Sequence, residues 1–125
     1  MSHVAVLGLG LLGRGFALKM LEEGERIRVW NRTAERAAPL AEAGATVASS
    51  PAEAVEGATR VHLVLTADDA VDAVIAASRP TLGEGVPVVD HSTNLPTRVQ
   101  ERFHRLRAEG VRYLHAPVFM GPQNA

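Results

Sequence analysis

A short apolar run from His3 to Leu7 leads straight into Gly8, Leu9, Gly10, Leu11, Leu12 and Gly13, and a helical pattern then continues through Leu21. Strand, glycine turn and helix in immediate succession narrow the choice of fold more than any other stretch of the chain. In such a unit the three glycines have separate tasks. Gly8 permits the tight turn, Gly10 lets a pyrophosphate approach the backbone, and Gly13 lets the helix lie close against the strand. The helix N-terminus then presents free N–H groups and the positive end of its dipole to the phosphates. A dinucleotide is the expected ligand, and the plain alternative is a turn whose glycines serve sterics alone.

The rest of the chain alternates in the same way. Arg26 to Trp30 reads as a second strand, with Trp30 as a packing residue. Thr33 is placed to cap a helix from Ala34 to Ala43, kinked or broken at Pro39. Gly44 to Val47 is a short extended piece, and Ser50-Pro51 with Glu53 three residues after the serine opens another helix. Val61 to Leu65 is nearly continuously apolar, as expected of a strand buried on both faces. Asp68 or Asp69, charges favoured by the dipole, starts a helix reaching Ser78. Val86 to Asp90 is a strand, Leu95 to Glu109 a helix closed by Gly110, and Val111 to His115 the last strand. This succession predicts an α/β fold of the Rossmann type: a doubly wound parallel sheet with helices on both faces. Residues 1–125 then form one dinucleotide-binding domain, expected to be incomplete at its C-terminal end, with the last strand as an exposed edge open to pairing with a second copy.

Ligands of such a sheet bind beyond the carboxyl ends of its strands, so the residues just after each strand carry the chemistry. After the second strand stand Asn31, Arg32 and Thr33, where an NAD site usually has a carboxylate for the ribose 2′-hydroxyl. An uncharged amide followed by a guanidinium suits a 2′-phosphate instead, which favours NADP, with NAD less expected. After the fifth strand the hydroxyls of Ser92 and Thr93 suit a nicotinamide amide or a substrate carboxylate, and Ser92, Thr93 or Asn94 equally suits a helix cap. His91 as general acid–base is the lesser alternative, since an adjacent Ser and Asp do not make a triad. His3, His62, His104 and His115 show no metal-ligand spacing, and His62 reads as a hydrogen-bonded core residue.

A net charge of -1 gives no electrostatic reason to expect nucleic acid or an anionic membrane. No apolar stretch approaches the roughly 20 residues of a membrane span, and no export signal opens the chain, so a cytoplasmic location is the expectation. With no cysteine, disulfides and thiolate metal sites are excluded.

The stretches GLGLLGRG, VWNRT, VLTADDAV, DHSTNLP and HAPVFMGP run in order along essentially all 125 residues. Together they closely resemble the N-terminal half of the β-hydroxyacid dehydrogenase family, which includes 3-hydroxyisobutyrate, tartronate semialdehyde and 6-phosphogluconate dehydrogenases. The resemblance implies that Gly8, Leu9, Gly10, Leu11, Leu12 and Gly13 hold the pyrophosphate. It implies that Asn31, Arg32 and Thr33 match the NADP-preferring members, that Leu65 and Thr66 lie beside the cofactor ribose, and that Thr93 touches the nicotinamide end. Substrate would meet Ser92, Val118, Phe119, Met120 and Gly121. Relatives commonly carry a serine and a glycine where Phe119 and Met120 stand, which points to a bulkier, less polar substrate.

The implied activity is hydride transfer between nicotinamide and a hydroxyacid or an aldehyde or keto acid. Alternatives are an imine reductase, suggested by the Met-Gly-Pro-Gln run, and a non-catalytic module that senses NADP. The family's catalytic lysine lies on a helix after the last strand of the domain, and its dimers form through an all-helical C-terminal domain. Lys19, the only lysine, sits on the first helix far from that position. The chain alone is therefore expected to bind cofactor, to carry no catalytic residue and to be inactive, the complete enzyme being a homodimer.

Overall fold

Helices lie on both faces of one all-parallel sheet, seen in a computed structural model that describes residues 2–66, 68–92 and 95–117, apart from the side chains of Asp68 and Asp69. The elements are β1 (His3–Leu7), α1 (Leu11–Glu22), β2 (Ile27–Trp30), a 3-10 turn at Ala34–Ala37, α2 (Ala38–Glu42), β3 (Thr46–Val47), α3 (Pro51–Val55), β4 (Ala58–Leu63), α4 (Asp68–Ser78), β5 (Pro87–Asp90), α5 (Pro96–Ala108) and β6 (Arg112–His115). The strands lie in the order β3-β2-β1-β4-β5-β6. Chain order reverses between β1 and β4, and a crevice opens there because the flanking connections leave towards opposite faces. Among the described residues no helix is long and apolar enough to cross a membrane.

Side-chain alternation along each strand sorts the core into two layers. Val4 and Val6 of β1, with Ile27 and Val29 of β2, meet Ala17 and Met20 of α1 and Leu40 of α2. Ala5 and Leu7, with Val61, Leu63, Val88 and Tyr113, meet Val55 of α3, Val71 and Ile75 of α4 and Leu106 of α5. Every residue of β1 is buried, because it is the strand covered on both sides. β6 lies at the edge, where the sequence places it.

Three local expectations are sharpened or changed. The segment from Ala34 to Ala43 is broken rather than kinked beside Pro39, into a 3-10 turn followed by α2, whose first turn holds Pro39, where a missing N–H costs nothing. The Thr33 side chain makes no capping bond there. β4 runs from Ala58 to Leu63 rather than from Val61 to Leu65, and it is not buried on both faces: Arg60 and His62, on the α1 side, are half-buried. Leu95 precedes the first turn of α5, and among the described residues no side chain caps it; Thr93 and Asn94 lie outside them. The cap at α3 forms as expected, with the Glu53 N–H donating to Ser50 Oγ at 3.1 Å.

α5 is clamped to α4 by charge. Asp72 of α4 accepts from Arg102 Nε at 2.6 Å and from Arg98 and Arg105 at 3.2 Å each, three arginines spaced along one face of α5. Burial alone would raise the Asp72 pKa, but the hydrogen bonds and charge of these arginines outweigh it and hold the carboxyl below its ordinary value.

Candidate functional site

Gly8 and Gly13 are where the backbones of β1, α1 and β4 touch. Gly8 has φ +104, and a Cβ there would sit 2.2 Å from the Val64 carbonyl oxygen. A Cβ on Gly13 would sit 1.9 Å from the Gly8 carbonyl oxygen. Both positions exclude any other residue for reasons internal to the protein. Gly10 differs: its backbone is extended, and a Cβ there would meet no atom of the described residues within 4 Å beyond its own chain neighbours. Its lack of a side chain serves no packing among the described residues, and it leaves a bare patch of backbone at the start of α1. No side chain caps this helix, and no acidic residue lies in its first turn, so its N–H groups and dipole face the crevice uncompensated.

A cleft of about 300 Å³ opens at this point, lined by Gly10, Leu11, Leu12, Gly13, Val64, Leu65, Thr66, His91 and Ser92. The turns after β1, β4 and β5, far apart in sequence, thus meet along one edge of the sheet. Leu11 projects into solvent at 63% exposure, whereas Leu9 is buried in the core layer beside α1. The Leu9 N–H donates to Asn31 Oδ1 at 2.7 Å, and Asn31 Nδ2 donates to the Thr33 carbonyl at 2.9 Å. Asn31 therefore ties the glycine turn to the end of β2, while Arg32 and Thr33 stand exposed beside it. Arg36, one turn further on and also exposed, is a second guanidinium on this segment that the sequence reading passed over.

At the far side of the cleft Ser92 is 3% exposed and forms its floor rather than a free arm. Its N–H donates to Asp90 Oδ1 at 2.9 Å, its hydroxyl lies 3.4 Å from the Leu65 N–H, and its carbonyl accepts from His115 Nε2 at 2.7 Å. Asp90 is wholly buried, accepts from the Tyr113 hydroxyl at 2.6 Å and lies 3.8 Å from Arg102. Burial, reinforced by that bond to Asp90, pushes the Tyr113 hydroxyl well above its ordinary range, so it stays a donor. Thr93, Val118, Phe119, Met120 and Gly121 lie outside the described residues. Among the described residues no cluster of histidine and carboxylate side chains is arranged to hold a metal ion.

His91 has both ring nitrogens engaged, with His62 Nδ1 at 2.8 Å and the Ala116 carbonyl at 3.0 Å. His62 is held down to about 4 by burial first, then by His91 and Arg60, against the upward pull of Glu25. Burial likewise lowers His91, against upward pulls from the Ala116 carbonyl and Asp90, with His115 adding to the lowering. Between the ordinary histidine value of 6.5 and about 4 the unfolded chain binds a proton that folded His62 refuses. Stability is therefore complete above 6.5 and drains as pH falls towards 4. Allowing for solvent around a half-exposed ring, the loss is about 2 kcal/mol. Urea midpoints measured across that window are expected to fall with pH, and to fall less in His62→Asn; an equal slope in both would contradict the assignment.

The model for the NAD binding domain of 6-phosphogluconate dehydrogenase matches residues 3–125. The 3-sulfolactaldehyde reductase of Escherichia coli is 30% identical over 128 residues, which cover 100% of this chain and 43% of that protein. Among solved structures, the reductive aminase from Aspergillus terreus in complex with NADPH and ethyl levulinate is similar at a TM-score of 0.88 and 30% identity, over 97% of this chain and 42% of that one. The 3-hydroxyisobutyrate dehydrogenase of Mycobacterium tuberculosis gives a TM-score of 0.93 at 26% identity, over 100% of this chain and 43% of that one. The chain spans under half the length of each of these relatives.

Proposed function

The chain belongs to the family of the NAD binding domain of 6-phosphogluconate dehydrogenase, and from that premise we propose that it is the NADP(H)-binding part of an oxidoreductase acting on a carbonyl, hydroxyl or imine carbon. The observation that carries the reading is the meeting of the uncapped, acid-free N-terminus of α1, with Gly10 open beside it, and the turns after β4 and β5 along one cleft. When bound, the nicotinamide supplies or accepts the hydride. The first-turn N–H groups of α1 hold the pyrophosphate, Leu65 and Thr66 border the ribose on the nicotinamide side, and Ser92 floors the nicotinamide end. Asn31 holds the glycine turn in shape. Arg32 and Arg36 face solvent on the segment where an adenosine 2′-phosphate would lie, and Asn31, not a carboxylate, stands first after β2.

His91 is not the proton donor in this arrangement, because each of its nitrogens is already committed. The lysine implied by the family resemblance remains the expected donor, and substrate would complete the site from Val118 to Gly121. The names of the relatives support both a hydroxyacid-type and an imine-type substrate.

Calorimetric titration with NADPH and NADH tests the cofactor. NADPH is expected to bind more tightly, and Arg32→Ala to weaken NADPH by roughly 10-fold or more while leaving NADH nearly unchanged. Equal affinities in the parent chain would overturn the NADP preference. Binding of neither would overturn the site.

A further inference from the structure

Beyond α1, on the same side of the sheet, a row of side chains crosses from β4 to β5. Register pairs Val6 with His62 and His62 with Val89, so Arg60, His62 and His91 all project to the α1 side. They form a continuous chain of hydrogen bonds. Glu25, in the turn between α1 and β2, holds the Arg60 guanidinium through both carboxylate oxygens at 3.0 and 3.1 Å. Arg60 Nε–H donates to His62 Nε2 at 2.9 Å. His62 Nδ1 faces His91 Nε2 at 2.8 Å, and His91 Nδ1 faces the Ala116 carbonyl at 3.0 Å. The two imidazoles are nearly coplanar, with 10° between their planes and centroids 5.1 Å apart, the geometry of edge-to-edge hydrogen bonding. Phe16 of α1 lies over the His91 ring at 5.1 Å.

The direction of this chain is set at both ends. An arginine N–H is always a donor, so His62 Nε2 must accept, and His62 must carry its proton on Nδ1. At the other end a backbone carbonyl can only accept, so His91 must carry its proton on Nδ1 and offer Nε2 to His62. One arrangement satisfies every atom, with both rings neutral. A proton added to His91 would put two N–H groups face to face. Were His62 to yield by moving its proton to Nε2, the clash would pass to Arg60, which cannot give a proton up. The chain is therefore a lock on one tautomer rather than a path for protons.

We propose that Arg60 and His62 are positioning residues, which keep His91 neutral, with its one proton on the Nδ1 that the Ala116 carbonyl accepts, and through it hold the exit of β6 beside the cofactor cleft. Two further bonds tie the same junction, Ala116 N–H to the Asp90 carbonyl at 2.8 Å and His115 Nε2 to the Ser92 carbonyl at 2.7 Å. His91 lines the cleft on one side and grips this junction on the other. The charged and titratable groups facing the pair are Arg60 and Glu25 at the His62 end, with Asp90 and His115 near His91. That the held segment leads to the substrate side rests on the functional reading above; the tautomer lock does not.

Nitrogen-detected NMR of the histidine rings in the cofactor-free chain tests the lock. In the parent chain His62 and His91 are both expected as neutral Nδ1–H tautomers, although free histidine prefers Nε2–H. His62→Leu removes the N–H that faces His91 Nε2. The Ala116 carbonyl still holds the first proton on Nδ1, and the ring is expected to take a second proton on Nε2 at higher pH than in the parent chain. His62→Asn keeps an N–H donor near the Nδ1 position and is expected to keep His91 neutral over the same pH range as the parent chain. Arg60→Met is expected to release His62 while leaving the core intact. Hydrogen exchange at the Ala116 amide is expected to speed up in His62→Leu and not in His62→Asn. An Nε2–H tautomer at His91 in the parent chain, or a His91 signature unmoved by His62→Leu, would overturn the proposal. Because these signals are read without cofactor, a chain that fails to bind NADPH would leave this test intact.

Discussion

Gly13→Ala is expected to abolish the native fold, whereas Gly10→Ala, three residues earlier in the same turn, is expected to fold normally and lose the cofactor. The Cβ of an alanine at 13 would lie 1.9 Å from one backbone oxygen and 3.0 Å from the carbon that bears it. Neither atom belongs to a flexible side chain, so relief requires α1 to move away from β1, which opens the layer formed by Val4, Val6, Ala17 and Met20. Overpacking of this kind costs about 3 kcal/mol or more, a large share of a typical domain's stability. At Gly10 the added methyl meets no atom of the described residues beyond its own chain neighbours and its extended backbone suits any residue, so the melting temperature should stay close to that of the parent. The methyl would occupy the place of the pyrophosphate, and NADPH affinity should fall at least 10-fold, about 1.4 kcal/mol. Thermal melts and calorimetry on the two variants separate the roles. A Gly10→Ala chain that binds NADPH like its parent would remove the phosphate from this turn.

Asp90→Ala is expected to be the most damaging change at the far side of the cleft. Asp90 is wholly buried, and it receives the Tyr113 hydroxyl and the Ser92 N–H, with Arg102 at 3.8 Å. Alanine would strand a buried hydroxyl and a buried N–H, and would leave the 1%-exposed Arg102 with one carboxylate fewer. Removing one partner of a buried charged network costs about 3–5 kcal/mol, because the groups left behind cannot reach water. Tyr113→Phe removes a single bond in the same network and is expected to cost about 1 kcal/mol. Urea unfolding of both variants checks the ratio. Equal costs would mean that Arg102 and Ser92 do not depend on Asp90. Since Ser92 floors the cleft, Asp90→Ala is also expected to weaken NADPH binding in whatever fraction remains folded.

Much of the architecture is legible in local spacing. The apolar run before Gly8, the serine and proline before α3 and the alternation of strand-like and helix-like segments identify a parallel α/β sheet, because turn sterics and side-chain periodicity act over a few residues. The misreadings are local as well. The strand read as starting at Val61 starts at Ala58, and His62, read as a core residue of a strand buried on both faces, lies on its half-open face. Asn31 illustrates a subtler gap. Its position after β2 is plain in the sequence, but its bond to the Leu9 N–H depends on how two strand ends lie side by side.

The amino-acid order by itself therefore determined the class of fold, the glycine turn and the row of strand ends where a ligand must bind. Steric and helical preferences are properties of neighbours along the chain, and they need no knowledge of partners. Only the tertiary structure decided which side chains meet across the sheet. His62 and His91 are 29 residues apart and face each other because β4 and β5 pair in parallel with one register. Asp90 reaches Tyr113 and Arg102 because β6 and α5 pack on one side of that pair. A shift of one residue in either pairing would turn these groups to the opposite face, so no spacing within a segment announces them.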